Sequence, residues 1–232
     1  MHFSICELSK ATVRHLIVKY HYSGRAPGIV HAWGLLEGQK IVGCIVYSVP
    51  ASYTLCTGVC GAAYRKDVLE LSRLVITTKR KNAASFLIGN SLRLLGKQRS
   101  AIVVSYADCN DHIGHVGYVY QATNWLYTGH GNAEPKWVET STGKVVAYTR
   151  RHIDAKAREL GYDWELNSSK GPGLHKEPMK GKHRYVTFVG DKRFCRKARS
   201  DLRYKVLGYP KGPTQRHAET VLVVMERKKP AP

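Results

Sequence analysis

The sequence predicts an α/β chain built on a mixed β-sheet, and three observations carry that reading. Residues 29–49 hold two apolar runs on either side of the tight turn Glu37-Gly38-Gln39, which is the pattern of a β-hairpin. Two more apolar runs, VLELSRLVI at 68–76 and AIVVSYA at 101–107, have the length and β-branched content of strands. Segments with the 3.6-residue spacing of amphipathic helices alternate with them. Hydrophobic residues make up 43% of the 232, enough for a real core, which excludes disorder for most of the chain.

The elements follow in order. Leu8, Thr12, Leu16 and Tyr20 keep helical spacing over residues 9–20, with Ser9 as a candidate N-cap. IVHAWGLL at 29–36 is the first strand of the hairpin, and Lys40 to Val49 returns as the second. Residues 68–76 form a third strand. Ser85 to Leu95 is a helix with Phe86, Ile88, Gly89, Leu92 and Leu95 along it, and 101–107 is a buried strand. The pattern predicts a helix from Gly114 to Trp125, a strand starting at Leu126-Tyr127-Thr128, and another at 145–149. Further on, HRYVTFV at 183–189 alternates Tyr185, Thr187 and Val189 with Arg184, Val186 and Phe188, as a strand does. RYKVL at 203–207 reads as a strand too, with 192–199 between the two. Residues 163–182 are rich in Gly, Ser, Lys and Pro and read as a mobile loop. The expected organisation is a core over 1–150, a basic β-rich extension over 151–228 and a disordered tail over 229–232.

Charge narrows the function. Lys and Arg number 37 against 17 Asp and Glu, a formal net charge of +20. Such an excess points to a polyanion, nucleic acid first. It is uneven: residues 1–149 carry 16 cations against 8 anions, residues 150–232 carry 21 against 9, and 176–205 alone carry 11 against 3. Interleaved aromatics and cations there suit a duplex backbone, with a solvated basic face as the plainer alternative. The candidate DNA contacts are Lys182, Arg184, Lys192, Arg193, Arg196, Lys197, Arg203 and Lys205. No apolar run is long enough to span a membrane, and the first residues lack a secretory pattern, so the expectation is a cytoplasmic protein with free cysteines.

The order helix, hairpin, strand, helix, strand, helix, strands over residues 1–150 resembles the N-acetyltransferase-like (GNAT) fold. Tyr120 to Trp125 is similar to that family's tyrosine-containing helix, with Asn124-Trp125 in place of its terminal Gly-Phe pair. The resemblance implies a cleft for an acyl-coenzyme A. Where the family has a glycine-rich pyrophosphate loop, this chain has TTKRKNAASF at 77–86. Lys79, Arg80, Lys81 and Ser85 could instead hold phosphates by charge and by the donors of a helix N-terminus. Arg73, a lone charge in an apolar strand, is expected to line the cleft or to sit in a buried ion pair, with Glu70 on the opposite face by the period of two. Ser91 and Arg93 are weaker donor-site candidates.

Several segments together resemble the phage Mom proteins. They are His21-Tyr22-Ser23, GVCG at 58–61, LELSRLV at 69–75, SYAD at 105–108, GHVGYVYQATNW at 114–125 and the basic strands of the back half. The resemblance spans most of the chain. It implies an enzyme that adds a carbamoylmethyl (acetamido) group to adenine N6 in double-stranded phage DNA and so protects it from host restriction. It implies acetyl-CoA or another activated two-carbon donor, such as an aminoacyl ester.

The residues that could carry that chemistry are His21, Tyr22, Asp108, Tyr118 and Tyr120. His21 could be a base, a metal ligand or part of a helix-end packing cluster. Asp108 follows a buried strand at its C-terminal end, where ligands gather in open α/β sheets, and could act as base, orienting group or metal ligand. Asn110 and Asp111 are better placed than Asp108 for helix capping. Tyr118 and Tyr120 lie about 200° apart on a helix, so only one can face the cleft. His21 and Asp108 are a candidate Fe2+ site, with His112 and His115 in helical i,i+3 spacing as further donors. Cys56 and Cys60 have no second pair at zinc-site spacing and read as structural. The alternatives are an acyl-CoA N-acetyltransferase with another substrate and a non-enzymatic DNA-binding protein of this fold. The oligomeric state stays open, a dimer included.

Overall fold

The computed structural model describes residues 2–109, 115–131, 133, 135–147, 174–179 and 181–212. The chain divides into two compact units. The first comprises Met1–Tyr106, Gly117–Gly129 and Arg184–Pro232, and the second Ala107–Val116 and His130–His183.

A seven-stranded sheet runs in the order β1-β2-β3-β4-β5-β10-β6. Its strands are β1 Phe3–Glu7, β2 His31–Glu37, β3 Lys40–Ser48, β4 Val68–Ile76, β5 Ala101–Ala107, β6 Leu126–His130 and β10 His183–Val189. The first three junctions are antiparallel, and β4 pairs with β5 in parallel. The expected α/β mixed sheet is therefore observed. The β2–β3 hairpin forms because Gly38 takes φ +63° at its turn, a conformation side-chain-bearing residues rarely adopt.

Alternation along β3 sorts the core into two layers. Cys44 and Val46 join Val75 against Val13 and Ile17 of α1 (Lys10–Tyr20), which Ser9 caps by accepting from Thr12 N. Tyr47 points to the other face, where its hydroxyl meets Ser91 Oγ of α3 (Ala83–Gln98) at 2.7 Å. Leu87, Ile88 and Leu95 of α3 are fully buried there. Each contributes about 1.5–3 kcal/mol by leaving water. A third cluster gathers α2 (Tyr53–Gly58), the 3-10 turn Ala62–Asp67 and α5 (Lys192–Ser200) on Val68, Ile102, Val104 and Val186. Cys56 and Cys60 sit in this cluster as packing residues.

The β4 register shifts between Leu71, opposite Tyr47, and Arg73, opposite Val46, so Ser72 is an extra residue. Such a bulge resets the alternation. Glu70 faces with Ser48 and Arg73 with Val46, two positions on one side of β3, so Glu70 and Arg73 share a face. The expectation of opposite faces fails for this reason.

The second unit contains a three-stranded sheet, β8-β7-β9, formed by β7 Lys136–Glu139, β8 Val145–Ala147 and β9 Leu174–Glu177. Strand β9 lies in the stretch expected to be a loop. Two further elements differ from expectation. The helix expected over 114–125 shrinks to α4, Tyr118–Gln121, because Gly117 at φ +80° and Asn124 at φ +60° break it at both ends. Residues 192–199, between the two expected strands, form the helix α5. Residues 203–207 are not a strand: they are tied by Arg203 N to Val59 O and by Leu207 N to Tyr127 O. Nor does the chain divide near residue 150, since β10 is an inner strand of the main sheet. Most of the expected 151–228 extension and all of the 229–232 tail lie outside the described residues. Among the described residues no helix is long and apolar enough to cross a membrane.

Candidate functional site

The parallel β4–β5 junction is short. Its register covers Val68–Ile102, Leu69–Val103 and Glu70–Val104, after which β4 runs on to Ile76 and β5 to Ala107. At the end of that register, polar and aromatic groups of the first unit collect. The Ser105 hydroxyl lies 2.9 Å from the Leu71 carbonyl oxygen and 2.8 Å from the Tyr120 hydroxyl. Glu70 is within electrostatic range of Tyr106 and Tyr120, and Tyr22 of Tyr120. Burial pushes the Tyr120 phenol up to about 12, with the Ser105 hydrogen bond working the other way. Burial likewise pushes Tyr106 up to about 12, against the nearby Arg184 cation. Both phenols keep their protons at neutral pH and could act as acids rather than bases.

The two candidate tyrosines separate as helical geometry requires. Tyr120 is buried, with ring centroids 5.2 Å from Trp125 and 5.1 Å from Tyr185. Tyr118 is 48% exposed, and its hydroxyl oxygen accepts from Gly212 N at 3.2 Å. His21 is the C-cap of α1: its N–H donates to Ile17 O and its Nδ1 accepts from Ser23 N at 3.1 Å. That is the packing-cluster role. Tyr22, stacked on His21 at 4.3 Å and 57% exposed, is the more available of the pair. Arg73 donates from Nε to Arg25 O at 3.1 Å and from an η nitrogen to Ser72 O at 2.6 Å. It braces the loop after α1 onto β4.

The start of α3 carries no side-chain cap: Asn82 at φ +64° precedes it, and no acidic residue lies in the first turn. The amides of that turn therefore keep a partial positive charge. Lys79 and Lys81 are exposed beside it, and the Ser85 hydroxyl donates to Asn82 O. Two expected cofactor residues are otherwise engaged. Arg80 pairs with Glu37 at 3.0 Å and lies over the Phe3 ring. Ser91 is fully buried between Tyr47 and Ile88 O, a core residue with no access to a cofactor. Arg93 donates to Asn90 Oδ1 on its own helix.

In the second unit Asp108 is buried, and its Oδ2 lies 3.0 Å from Lys182 Nζ. The Asp108 carboxylate is thus already paired with a cation. Among the described residues, nothing gathers metal-ligating atoms around His21 and Asp108. His112 lies outside the described residues. Cys109, His130 and His183 instead bring their ligand atoms within 4.8 Å of one another. Burial, with His130 and His115 nearby, lowers the pKa of His183.

The helix α5 carries a strongly basic outer face. Phe194, Cys195 and Ala198 face inward, while Lys192, Arg193, Arg196, Lys197 and Arg199 are exposed. At 100° per residue the five cations span an arc of about 160°. Asp191 caps the helix, accepting from Arg193 N and Phe194 N. A concavity of ≈ 280 Å³ between this helix and the β6–β10 region is lined by Asn124, Leu126, Thr187, Phe188, Cys195, Arg196 and Arg199. Arg203 and Lys205 are also exposed. Arg184 and Lys182 do not fit the expected role. Arg184 lies 3.5 Å over the Tyr204 ring and donates to Thr128 Oγ1 and O at 3.0 and 3.1 Å, and Lys182 is paired with Asp108.

Sequence reasoning missed Tyr106, Cys109, His130, His183 and Arg199, and treated Glu70 only as a neighbour of Arg73. A carboxylate inside an apolar strand was the available signal for Glu70.

Comparison with solved structures finds acetyltransferases of the GNAT family at low identity. An agmatine N-acetyltransferase variant in its apo form is 10% identical, with 81% of this chain and 100% of that chain covered and a TM-score of 0.45. A GNAT-family acetyltransferase from Bacillus cereus is 11% identical, covering 81% and 97%, with a TM-score of 0.39. A ribosomal-protein alanine N-acetyltransferase from Escherichia coli is 11% identical, covering 62% and 88%, with a TM-score of 0.40. No curated protein sequence matches. The model of the Mom protein family matches residues 2–211, nearly the whole described chain. The chain, with its mixed α/β fold, belongs to the Mom protein family.

Proposed function

We propose that this protein is a transferase that adds a carbamoylmethyl group to adenine N6 in double-stranded DNA, protecting phage DNA from host restriction in the bacterial cytoplasm. Membership in the Mom family over residues 2–211 is the observation that carries this reading. The exposed cationic arc of α5 supports it, because phosphate contacts position a duplex without selecting sequence. DNA docks on that helix, and the target adenine leaves the stack to reach the modifying site.

The first unit supplies the chemistry. As nitrogen bonds to the incoming methylene carbon, the N6–H bond and the bond from that carbon to the donor's leaving group both break, so one proton must be accepted and one leaving group must depart. Glu70, set beside Tyr106 and Tyr120, is the carboxylate placed to take it. Tyr120 stays protonated at neutral pH and is the group that can return a proton to a leaving group. The uncapped first turn of α3, with Lys79 and Lys81, fits the phosphates of an acyl-CoA donor. An acyl-CoA is activated at its carbonyl, so attachment through the methylene carbon requires that the bound donor already carry the amide nitrogen and a leaving group on that carbon. An aminoacyl ester would use the same cationic edge.

The test is restriction. DNA from cells expressing the chain should resist enzymes whose sites contain adenine. DNA cut as fully as the control, with folded protein present, overturns the proposal. Tight acetyl-CoA binding with an acetylated amine as product would favour an ordinary N-acetyltransferase, and DNA binding without modification would favour a non-enzymatic role.

A further inference from the structure

Three ligand-bearing residues converge from strands that are neighbours in the sheet order. Cys109 lies two residues beyond β5, His130 ends β6 and His183 begins β10. We propose that Cys109, His130 and His183 form a zinc site, three ligands of a tetrahedral centre whose fourth position is open.

The donor set argues for the metal. One thiolate and two imidazoles suit a borderline-soft divalent ion, whereas magnesium and calcium take oxygen ligands. The ligand atoms lie within 4.8 Å of one another, and the two imidazole centroids are 4.4 Å apart. Zn–N and Zn–S bonds of about 2.1 and 2.3 Å place these tetrahedral ligands roughly 3.4–3.6 Å apart. Small side-chain rotations close that difference.

The surrounding backbone is set for the purpose. Gly131 N donates to Lys182 O at 2.8 Å, linking the residue after His130 to the residue before His183. A Cβ on Gly181 would collide with the Gly131 carbonyl, so glycine allows this close approach. The Cys109 thiol donates to Gly181 O at 3.0 Å, a bond it gives up when its proton leaves and sulfur binds the metal. The Asp108–Lys182 ion pair flanks the cluster, adjacent in sequence to Cys109 and His183, and its carboxylate offsets the lysine charge. His183 is buried, Cys109 half-buried and His130 exposed, which leaves an entry path from solvent.

Binding is balanced by one proton: the Cys109 thiol loses its proton to solvent as sulfur bonds to Zn2+, and the neutral imidazoles bind through ring nitrogen. No electron is transferred.

The test uses the full chain, stripped with a chelator and titrated with Co2+ and then Zn2+. One equivalent of Co2+ should bind with a thiolate-to-cobalt charge-transfer band that Zn2+ abolishes. Cys109→Ser should remove the band, His130→Ala should weaken binding by at least about tenfold, and Cys6→Ser should change neither. The exposed His130 keeps the test informative if a buried variant fails to fold. Zn2+ should raise the melting temperature of wild type and not of Cys109→Ser. Failure to bind either ion, or a band that survives Cys109→Ser, overturns the site. Iron retained in place of zinc, and dependent on Cys109, overturns the choice of metal. None of these readouts depends on DNA modification.

Discussion

Replacing Lys192, Arg193, Arg196 and Lys197 together by Gln tests how the chain holds DNA. All four side chains are exposed on the outer arc of α5. Each phosphate contact contributes about 0.9 to the slope of log affinity against log salt. Losing four should flatten that slope by roughly 3.6. Between about 50 and 200 mM salt, wild type should then lose about a hundredfold more affinity than the variant. Folding should be nearly unaffected. Gln is a good helix former, Asp191 caps through backbone amides, and each exposed change is worth no more than about 0.5 kcal/mol. Anisotropy titrations of a labelled duplex across a salt series give the slope, and circular dichroism checks the fold. An unchanged slope in a folded variant would refute the docking role of α5.

Two other perturbations probe the first unit. Arg184→Ala should cost about 2–3 kcal/mol in urea unfolding, through lost stacking on Tyr204 and lost bonds to Thr128. The salt slope of DNA binding should stay as it was, and a slope change without destabilisation would make Arg184 a phosphate contact after all. The phenols of Tyr106, Tyr120 and Tyr185 are each raised from 10.0 to about 12, burial being the leading cause. The unfolded chain ionises them first, so their contribution is complete below pH 10 and is lost as pH rises towards 12. Thermal stability should fall steeply in that window. Absorbance titration showing all 14 tyrosines ionising together near 10 would contradict the buried cluster.

Much of the scaffold could be read from local pattern. The runs at 68–76, 101–107 and 183–189 are strands with those bounds, because β-branched apolar runs in a sheet core leave little ambiguity. The errors arise where backbone conformation or tertiary context decides. Positive φ at Gly117 and Asn124 ends α4 after four residues, although the residues between 114 and 125 have helical spacing. Phe3–Glu7 forms a strand mainly because β2 lies alongside to pair with it. The Ser72 bulge turns Glu70 and Arg73 to one face, which no period-two count can anticipate. Site residues were harder still. His21 and Asp108 looked chemical, yet one caps a helix and the other holds a lysine. Cys109, His130 and His183 come together only once β5, β10 and β6 are known to be neighbours. Likewise, Arg184 and Arg193 are both cations in a basic stretch, and only packing shows that one turns inward over a tyrosine.

The most direct test is the mass of deoxyadenosine in DNA from cells expressing the wild-type chain or Glu70→Gln. The account predicts a nucleoside heavier by one carbamoylmethyl group at N6 with wild type, and none with Glu70→Gln although that variant still binds DNA. Unmodified adenine throughout, with folded, DNA-binding wild-type protein present, would contradict it.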